Sequence, residues 1–221
     1  MKTMLAPSMM CAPIDKLALV LDTFEKCGIE YLHVDVMDGV FVPNLMLGTD
    51  YVKQLRKLSR IPLDIHLMIT QPEKKTSWFA PQPGEFVSVH YESTHDFRGA
   101  LEAVKACGAK AMAAINPPTA PYVLEPVMGL LDGVLVMTVN PGFAGQKAVP
   151  QAISKIAEVR ALLKKYGKGD LPIEVDGNCS FEKAPEMRRQ GADIIVCGSS
   201  SVFVKDRPME DAIAAFREAV G

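Results

Sequence analysis

The feature that most constrains this chain is an alternation repeated eight times, in which a short apolar stretch is followed by a segment of helical spacing. The first stretch lies within residues 4–10 and ends at Ser8; the others are 31–36, 62–68, 86–90, 110–115, 133–139, 172–176 and 193–197. They are rich in Val and Ile and nearly continuous in apolar character, as strands covered on both faces are. Helical spacing follows in residues 15–26, where Leu17, Val20, Leu21 and Phe24 share a face and Gly28 stops the run. It recurs from Thr49 and in 72–79, 96–107, 120–128, 149–166, 180 to near 191, and 208–220. A unit of about 25–30 residues repeated eight times matches an α/β barrel of the (β/α)8, TIM-barrel type. An open doubly wound sheet is the rival, but it accounts less well for eight units, and no GxGxxG follows the first strand. No linker or low-complexity tract interrupts the pattern, so the expectation is one domain over residues 1–221. The stretch APQPGEF (80–86) has no account in this scheme.

Composition narrows the function classes. A formal charge of -2 and no basic cluster give no footing for a nucleic-acid partner. No apolar run approaches the roughly 20 residues of a membrane span, and the N-terminal stretch reads as a strand rather than a signal peptide. Five cysteines without a CxxC pair read as reduced thiols in a cytoplasmic setting.

The chemistry concentrates at strand C-terminal ends, where barrels of this kind carry their active sites. In YLHVDVMDGVFVPN (31–44), His33 and Asp35 are two residues apart and leave the same face of a strand. Buried side by side, an imidazole and a carboxylate need a metal, each other or another hydrogen-bonding partner. PLDIHLM ends in His66 and PIEVD ends in Asp176. Any one of these alone suits a hydrogen-bonded core residue or a cap, but four at equivalent strand ends point to a divalent metal site. Asp64 and Asp193 precede the apolar cores of their strands and read as caps. NPGFAGQ (140–146) and Gly198-Ser199 expose backbone N–H groups beside helix starts and together suit a phosphorylated ligand. Met37, Met68 and Met137, joined by Met10 and Met46, fit either gap filling or an apolar lid that excludes water from a reactive intermediate.

The motifs APS (6–8), HVDVMDGVFVPN (33–44), PLDIHLM (62–68), VNPGFAGQ (139–146), EVDG (174–177) and GSS (198–200) resemble the ribulose-phosphate 3-epimerase family. The resemblance runs from Leu5 to about Phe203. It implies a TIM barrel with one divalent metal held by His33, Asp35, His66 and Asp176. Zinc is the first expectation, with iron, manganese, cobalt or magnesium as alternatives. The resemblance also implies that Asp35 and Asp176 act as acid and base on opposite faces of the substrate's C3, through an enediolate. Ser8, His66, Gly142, Phe143, Ala144, Gly145, Gly177, Asn178, Gly198 and Ser199 would contact the substrate, and Met37, Met68 and Met137 would shield the enediolate. A homo-oligomer is implied as well.

Pro13, Ala144 and Asn178-Cys179 depart from the ribulose-phosphate pattern, and Ser8-Met9-Met10-Cys11, Phe143-Ala144-Gly145 and Asp176-Gly177-Asn178-Cys179 look more like the allulose 6-phosphate branch. The expectation therefore leans to D-allulose 6-phosphate and D-fructose 6-phosphate. D-Ribulose 5-phosphate and D-xylulose 5-phosphate are the alternative, and a catalytically silent phosphate-binding barrel is the non-enzyme reading. A Schiff-base aldolase needs a strand-end Lys, and Lys110 stands at the wrong end of its strand. A triosephosphate-type isomerase would want a Glu where Thr138 and Val139 stand.

Overall fold

The computed structural model describes residues 2–221. Its strands are β1 (Met4–Pro7), β2 (Leu32–Asp38), β3 (Leu45–Met46), β4 (Leu63–Met68), β5 (Phe86–His90), β6 (Lys110–Ile115), β7 (Gly133–Met137), β8 (Ile173–Asp176) and β9 (Ile194–Cys197). The α-helices are α1 (Leu17–Lys26), α2 (Thr49–Leu58), α3 (Pro72–Lys75), α4 (Phe97–Ala106), α5 (Pro150–Lys165), α6 (Ala184–Gln190) and α7 (Met209–Val220). The sheet order is β1-β9-β8-β7-β6-β5-β4-β2-β3. Every pairing is parallel except that of β3 with β2. A parallel bridge between Ser8 and His33 brings β1 against β2 and closes the sheet into the expected (β/α)8 barrel.

Period two sorts the strand residues. Val34, Val36, Ile65, Leu67, Val87, Val89, Val134, Val136, Val175 and Ile195 face outward into the main core, packed with helix residues such as Phe24, Val52, Leu55, Leu101, Ile156 and Phe216. The other parity of β2, β4, β5 and β8 carries His33, Asp35, Asp64, His66, Ser88, His90, Glu174 and Asp176 into the barrel. An apolar plug of Ala6, Phe86, Met112 and Ile194 fills the end below them. Of these groups Asp35 and Asp176 line a cavity at the opposite mouth, where the C-terminal ends of the strands lie, and the others are buried beneath them.

The structure departs locally from the sequence expectation at four points. Strand β2 runs to Asp38 rather than Val36, because Met37 and Asp38 pair with Met46 and Leu45 across a turn. The expected helix at 120–128 is a 3-10 segment, Pro121–Leu130, since Pro126 inside it cannot donate to an α-helical ladder. Likewise the stretch from Pro72 divides into α3 and a 3-10 turn, Thr76–Phe79. Helix α6 starts at Ala184; Ser180 caps a preceding turn, accepting from the Lys183 N–H at Oγ, 3.2 Å.

The unexplained stretch before β5 has a structural reason. Its Glu85 is buried and takes a bidentate ion pair from Arg56 of α2, at 2.8 and 2.7 Å, while also accepting from the Gln82 N–H. The turn thus ties α2 to the start of β5.

Candidate metal centre and sugar-phosphate pocket

His33 and Asp35 leave β2, His66 leaves β4 and Asp176 ends β8, and the barrel brings all four to one point. One ligand atom from each can be chosen so that all lie within 4.8 Å of one another. His33 Nε2 is 3.4 Å from Asp35 Oδ1 and 4.0 Å from Asp176 Oδ2. His66 Nδ1 is 3.5 Å from Asp35 Oδ1 and 3.6 Å from Asp176 Oδ2. His33 Nε2 and His66 Nδ1 are buried and have no hydrogen-bond partner. A buried imidazole nitrogen left bare costs the chain desolvation without return. Two such nitrogens aimed between two carboxylates fit a divalent cation, and the mixed nitrogen and oxygen donors suit zinc, iron, manganese or cobalt.

The surroundings hold these donors in place. The Ser8 hydroxyl donates to Asp35 Oδ2 at 2.6 Å, leaving Oδ1 for the centre. Below it, His33 Nδ1 meets Asp64 Oδ2 at 2.5 Å, with Glu174 Oε1 3.4 Å away. Asp64 is therefore no cap. It faces into the barrel, 1% exposed, and its carboxylate accepts from Nδ1–H, which leaves Nε2 of His33 bare. Asp193 does serve a structural end: it pairs with Arg160 and accepts from the Ile173 N–H at 3.1 Å. Sequence reasoning misreads Asp64 and misses Glu174, His90 and Glu92. A signal for Asp64 and Glu174 is present, since each stands two residues before a site residue on the same strand and so shares its face.

Burial is the largest influence on both central carboxyls, but their neighbours split them. At Asp176, burial and then the Asp35 charge act together and push the carboxyl up to about 7. At Asp35, burial also acts upward, but the influence of the neighbouring His33 and then His66 imidazoles outweighs it and holds Asp35 far below the carboxylate range. Two carboxyls whose environments drive them apart are suited to acid and base roles. A cation between them favours the ionised form of both.

Above the four donors lies a cavity of about 310 Å³. Its walls include Ser8, Asp35, Asp176 and the loops Pro141–Gln146, Gly177–Cys179 and Gly198–Ser200. All ten substrate-contact expectations reach it except His66, which is fully buried below the floor and addresses the carboxylates instead. Met10, Met37, Met68 and Met137 line it too. Met37 and Met68 pack with Val42, Met10 and Met46, whereas Met137 belongs to a neighbouring group with Ala114, Leu135 and Val139. Asn44 Nδ2 donates to the Gly142 carbonyl at 2.9 Å, so the loop after β2 rests on the loop after β7 across the mouth. Asn116 and Thr138 contribute to the frame rather than to the wall. Thr138 Oγ1 donates to the carbonyls of Asp176 and Gly177, and the Asn116 N–H donates to Glu92.

Solved structures share the fold. A 3-hexulose-6-phosphate synthase from Salmonella typhimurium superposes with a TM-score of 0.68 at 12% identity, covering 99% of this chain and 98% of that one. The phosphoribosyl anthranilate isomerase from Thermococcus kodakaraensis gives 0.64 at 16%, with coverages of 99% and 98%. At such identity the likeness is one of fold alone. Sequence relatives say more. The chain is 41% identical to the ribulose-phosphate 3-epimerase of Bacillus subtilis (strain 168), over 91% of its own length and 93% of the relative's. It is 38% identical to the chloroplastic ribulose-5-phosphate-3-epimerase of Arabidopsis thaliana, over 91% and 72%. The profile of the ribulose-phosphate 3 epimerase family matches residues 4–203, a span that holds every donor and every pocket loop described above. The chain belongs to that family and is an isomerase, an epimerase of sugar phosphates.

Proposed function

We propose that this chain is a metal-dependent 3-epimerase that interconverts D-ribulose 5-phosphate and D-xylulose 5-phosphate. The observation that carries the chemistry is the pair Asp35 and Asp176, which flank two bare imidazole nitrogens at the floor of the pocket. Asp35 and Asp176 stand on opposite sides of the substrate's C3: one carboxylate removes the proton, and the other carboxyl returns a proton to the opposite face. His33, Asp35, His66 and Asp176 hold one divalent cation, zinc before iron, manganese, cobalt or magnesium. When bound, the cation supplies the positive charge that makes a C3–H beside a ketone acidic enough to lose. Ser8 orients Asp35. Met37, Met68 and Met137 exclude water from the electron-rich intermediate. Gly142, Phe143, Ala144, Gly145, Gly177, Asn178, Gly198 and Ser199 contact the substrate, several of them through backbone N–H groups at its phosphate.

The pentulose reading replaces the lean toward allulose 6-phosphate. It is supported by the relatives named above, which match nearly the whole chain under ribulose-phosphate names. Ala144 and Asn178-Cys179, which suggested the hexulose branch, stand on loops assigned to the phosphate, and both substrates carry one. They give no argument for a longer carbon chain. A cytoplasmic setting agrees with five free thiols, and no helix is long and apolar enough to cross a membrane among the described residues. A homo-oligomer belongs to the same reading.

The test is kcat/KM on D-ribulose 5-phosphate and D-allulose 6-phosphate, with metal content measured on the same sample. The expected result is a preference of at least about tenfold for the pentulose, equivalent to about 1.4 kcal/mol of transition-state discrimination. Preference for the hexulose would overturn the substrate. A metal-replete chain inert on both would overturn the epimerase reading in favour of a silent barrel.

A further inference from the structure

The second imidazole of the metal centre is held by another imidazole. His66 Nε2 lies 2.8 Å from His90 Nε2, and both residues are fully buried. Their ring centres are 5.0 Å apart with 24° between planes. That separation is close to the N···N distance plus the two ring radii. Both nitrogens therefore sit near the line joining the centres, and the contact runs edge to edge as a hydrogen bond, not face to face. On its far side, His90 Nδ1 meets Glu92 Oε2 at 3.4 Å. The other Glu92 oxygen accepts from the Asn116 N–H at 2.8 Å and from the Thr119 hydroxyl. This loop is in turn fastened to α5 by Lys155, whose ammonium donates to the carbonyls of Asn116 and Pro117 at 2.8 and 2.6 Å.

The chain of bonds runs in one direction only. An ionised carboxylate accepts and cannot donate, so the His90 proton is on Nδ1. His90 Nε2 is then bare and must accept, which puts the His66 proton on Nε2. His66 Nδ1 is left bare, and this is the atom that faces Asp35 and Asp176 without a partner. We propose that His90, oriented by Glu92, is a positioning residue that fixes His66 in the tautomer offering Nδ1 to the cation. The two histidine ligands are then held by different acceptors, the Asp64 carboxylate behind His33 and a neutral imidazole behind His66.

The inference rests on the metal reading above, and its test separates the two. Metal-stripped protein is titrated with cobalt(II) and zinc(II) against a chromophoric chelator, for the unsubstituted chain and for His90→Phe, His90→Gln and Glu92→Gln. Phe keeps a ring against Phe41, whose centroid lies 4.9 Å from that of His90, but removes the acceptor. Gln restores a neutral acceptor. Loss of an outer partner of a ligand histidine costs about 10–100-fold in affinity, so His90→Phe should weaken metal binding by that factor and His90→Gln should recover most of it. Glu92→Gln, which can donate where Glu92 only accepts, should fall between. Thermal unfolding of the metal-free variants checks that each is folded. If His90→Phe is not, weakened binding in Glu92→Gln together with near-normal binding in His90→Gln supports the inference equally. Unchanged affinity in a folded His90→Phe, or an equal loss in the Phe and Gln variants, would overturn the inference. No metal binding by the unsubstituted chain would overturn the metal reading and the inference with it.

Discussion

Gly177 follows Asp176 directly, at φ +111°, and a Cβ built there would lie 2.6 and 2.9 Å from the Val139 methyls and 2.9 Å from the Val139 backbone nitrogen. The methyls could rotate away, but the backbone nitrogen cannot. Gly28, after α1, also has a left-handed backbone, φ +63°, but a Cβ there would meet nothing within 4 Å. Gly28→Ala therefore isolates the conformational cost, about 1–2 kcal/mol for an L-residue in that region. Gly177→Ala adds the crowding, a further cost of about 1–3 kcal/mol. Its relief needs a backbone shift, at Val139 or in the segment that carries Asp176. That segment is pinned by Thr138, whose N–H donates to the Asp176 carbonyl at 2.7 Å and whose hydroxyl donates to the carbonyls of Asp176 and Gly177. A displacement near 1 Å of a catalytic group costs about 10²-fold in rate. Urea unfolding should show Gly177→Ala less stable than Gly28→Ala by about 1–3 kcal/mol. kcat should fall roughly 10²-fold in the first and remain near normal in the second. Equal unfolding free energies for the two variants would refute the packing argument, and full activity in Gly177→Ala would refute the claim that this turn positions Asp176.

The remaining predictions address the site and its rim. Asp35→Asn and Asp176→Asn should each lower turnover by at least about 10²–10⁴-fold with an unchanged circular dichroism spectrum; near-normal rates in either would remove it from the acid/base pair. His66→Ala should lose metal as well as activity, so unchanged metal content would take it out of the donor set. Asp64→Asn keeps a side-chain oxygen near His33 Nδ1 but removes the charge, and should weaken metal binding by about 10–100-fold. At Asp38, burial raises the carboxyl, but the N–H groups of Phe41, Thr70 and Val40 outweigh it and hold the carboxyl well below its ordinary 3.8. The stability it contributes is complete above that unfolded value and is lost as pH falls below it, toward the lower folded value. Unfolding free energy measured between pH 5 and 2 should therefore fall less steeply in Asp38→Asn than in the unsubstituted chain, and parallel curves would refute the assignment.

Much of the architecture was legible because its signals are local. Period two in the strands and helical spacing between them follow from backbone geometry that neighbouring residues share, so strands such as 86–90 and 110–115 read correctly to the residue. At 120–128 the reading passed over a local signal, Pro126, but elsewhere the missing fact was a distant partner. Strand β2 runs past Val36 because Leu45 and Met46 fold back onto its end, and Asp64 resembled a cap until His33 was placed beside it. The turn at 80–85 had no account because its reason, Arg56, lies on another helix.

The sequence by itself determined that eight strand-helix units make a barrel and that two histidines and two aspartates stand at equivalent strand ends, since covalent order and side-chain period decide both. Only the tertiary structure decided which atoms of those residues face one another. His33 offers Nε2 and His66 offers Nδ1 because Asp64 occupies the other nitrogen of the first and His90 that of the second. A tautomer is chosen by the acceptor it meets, and these acceptors come from other strands, β4 and β5, whose approach depends on closure of the whole sheet.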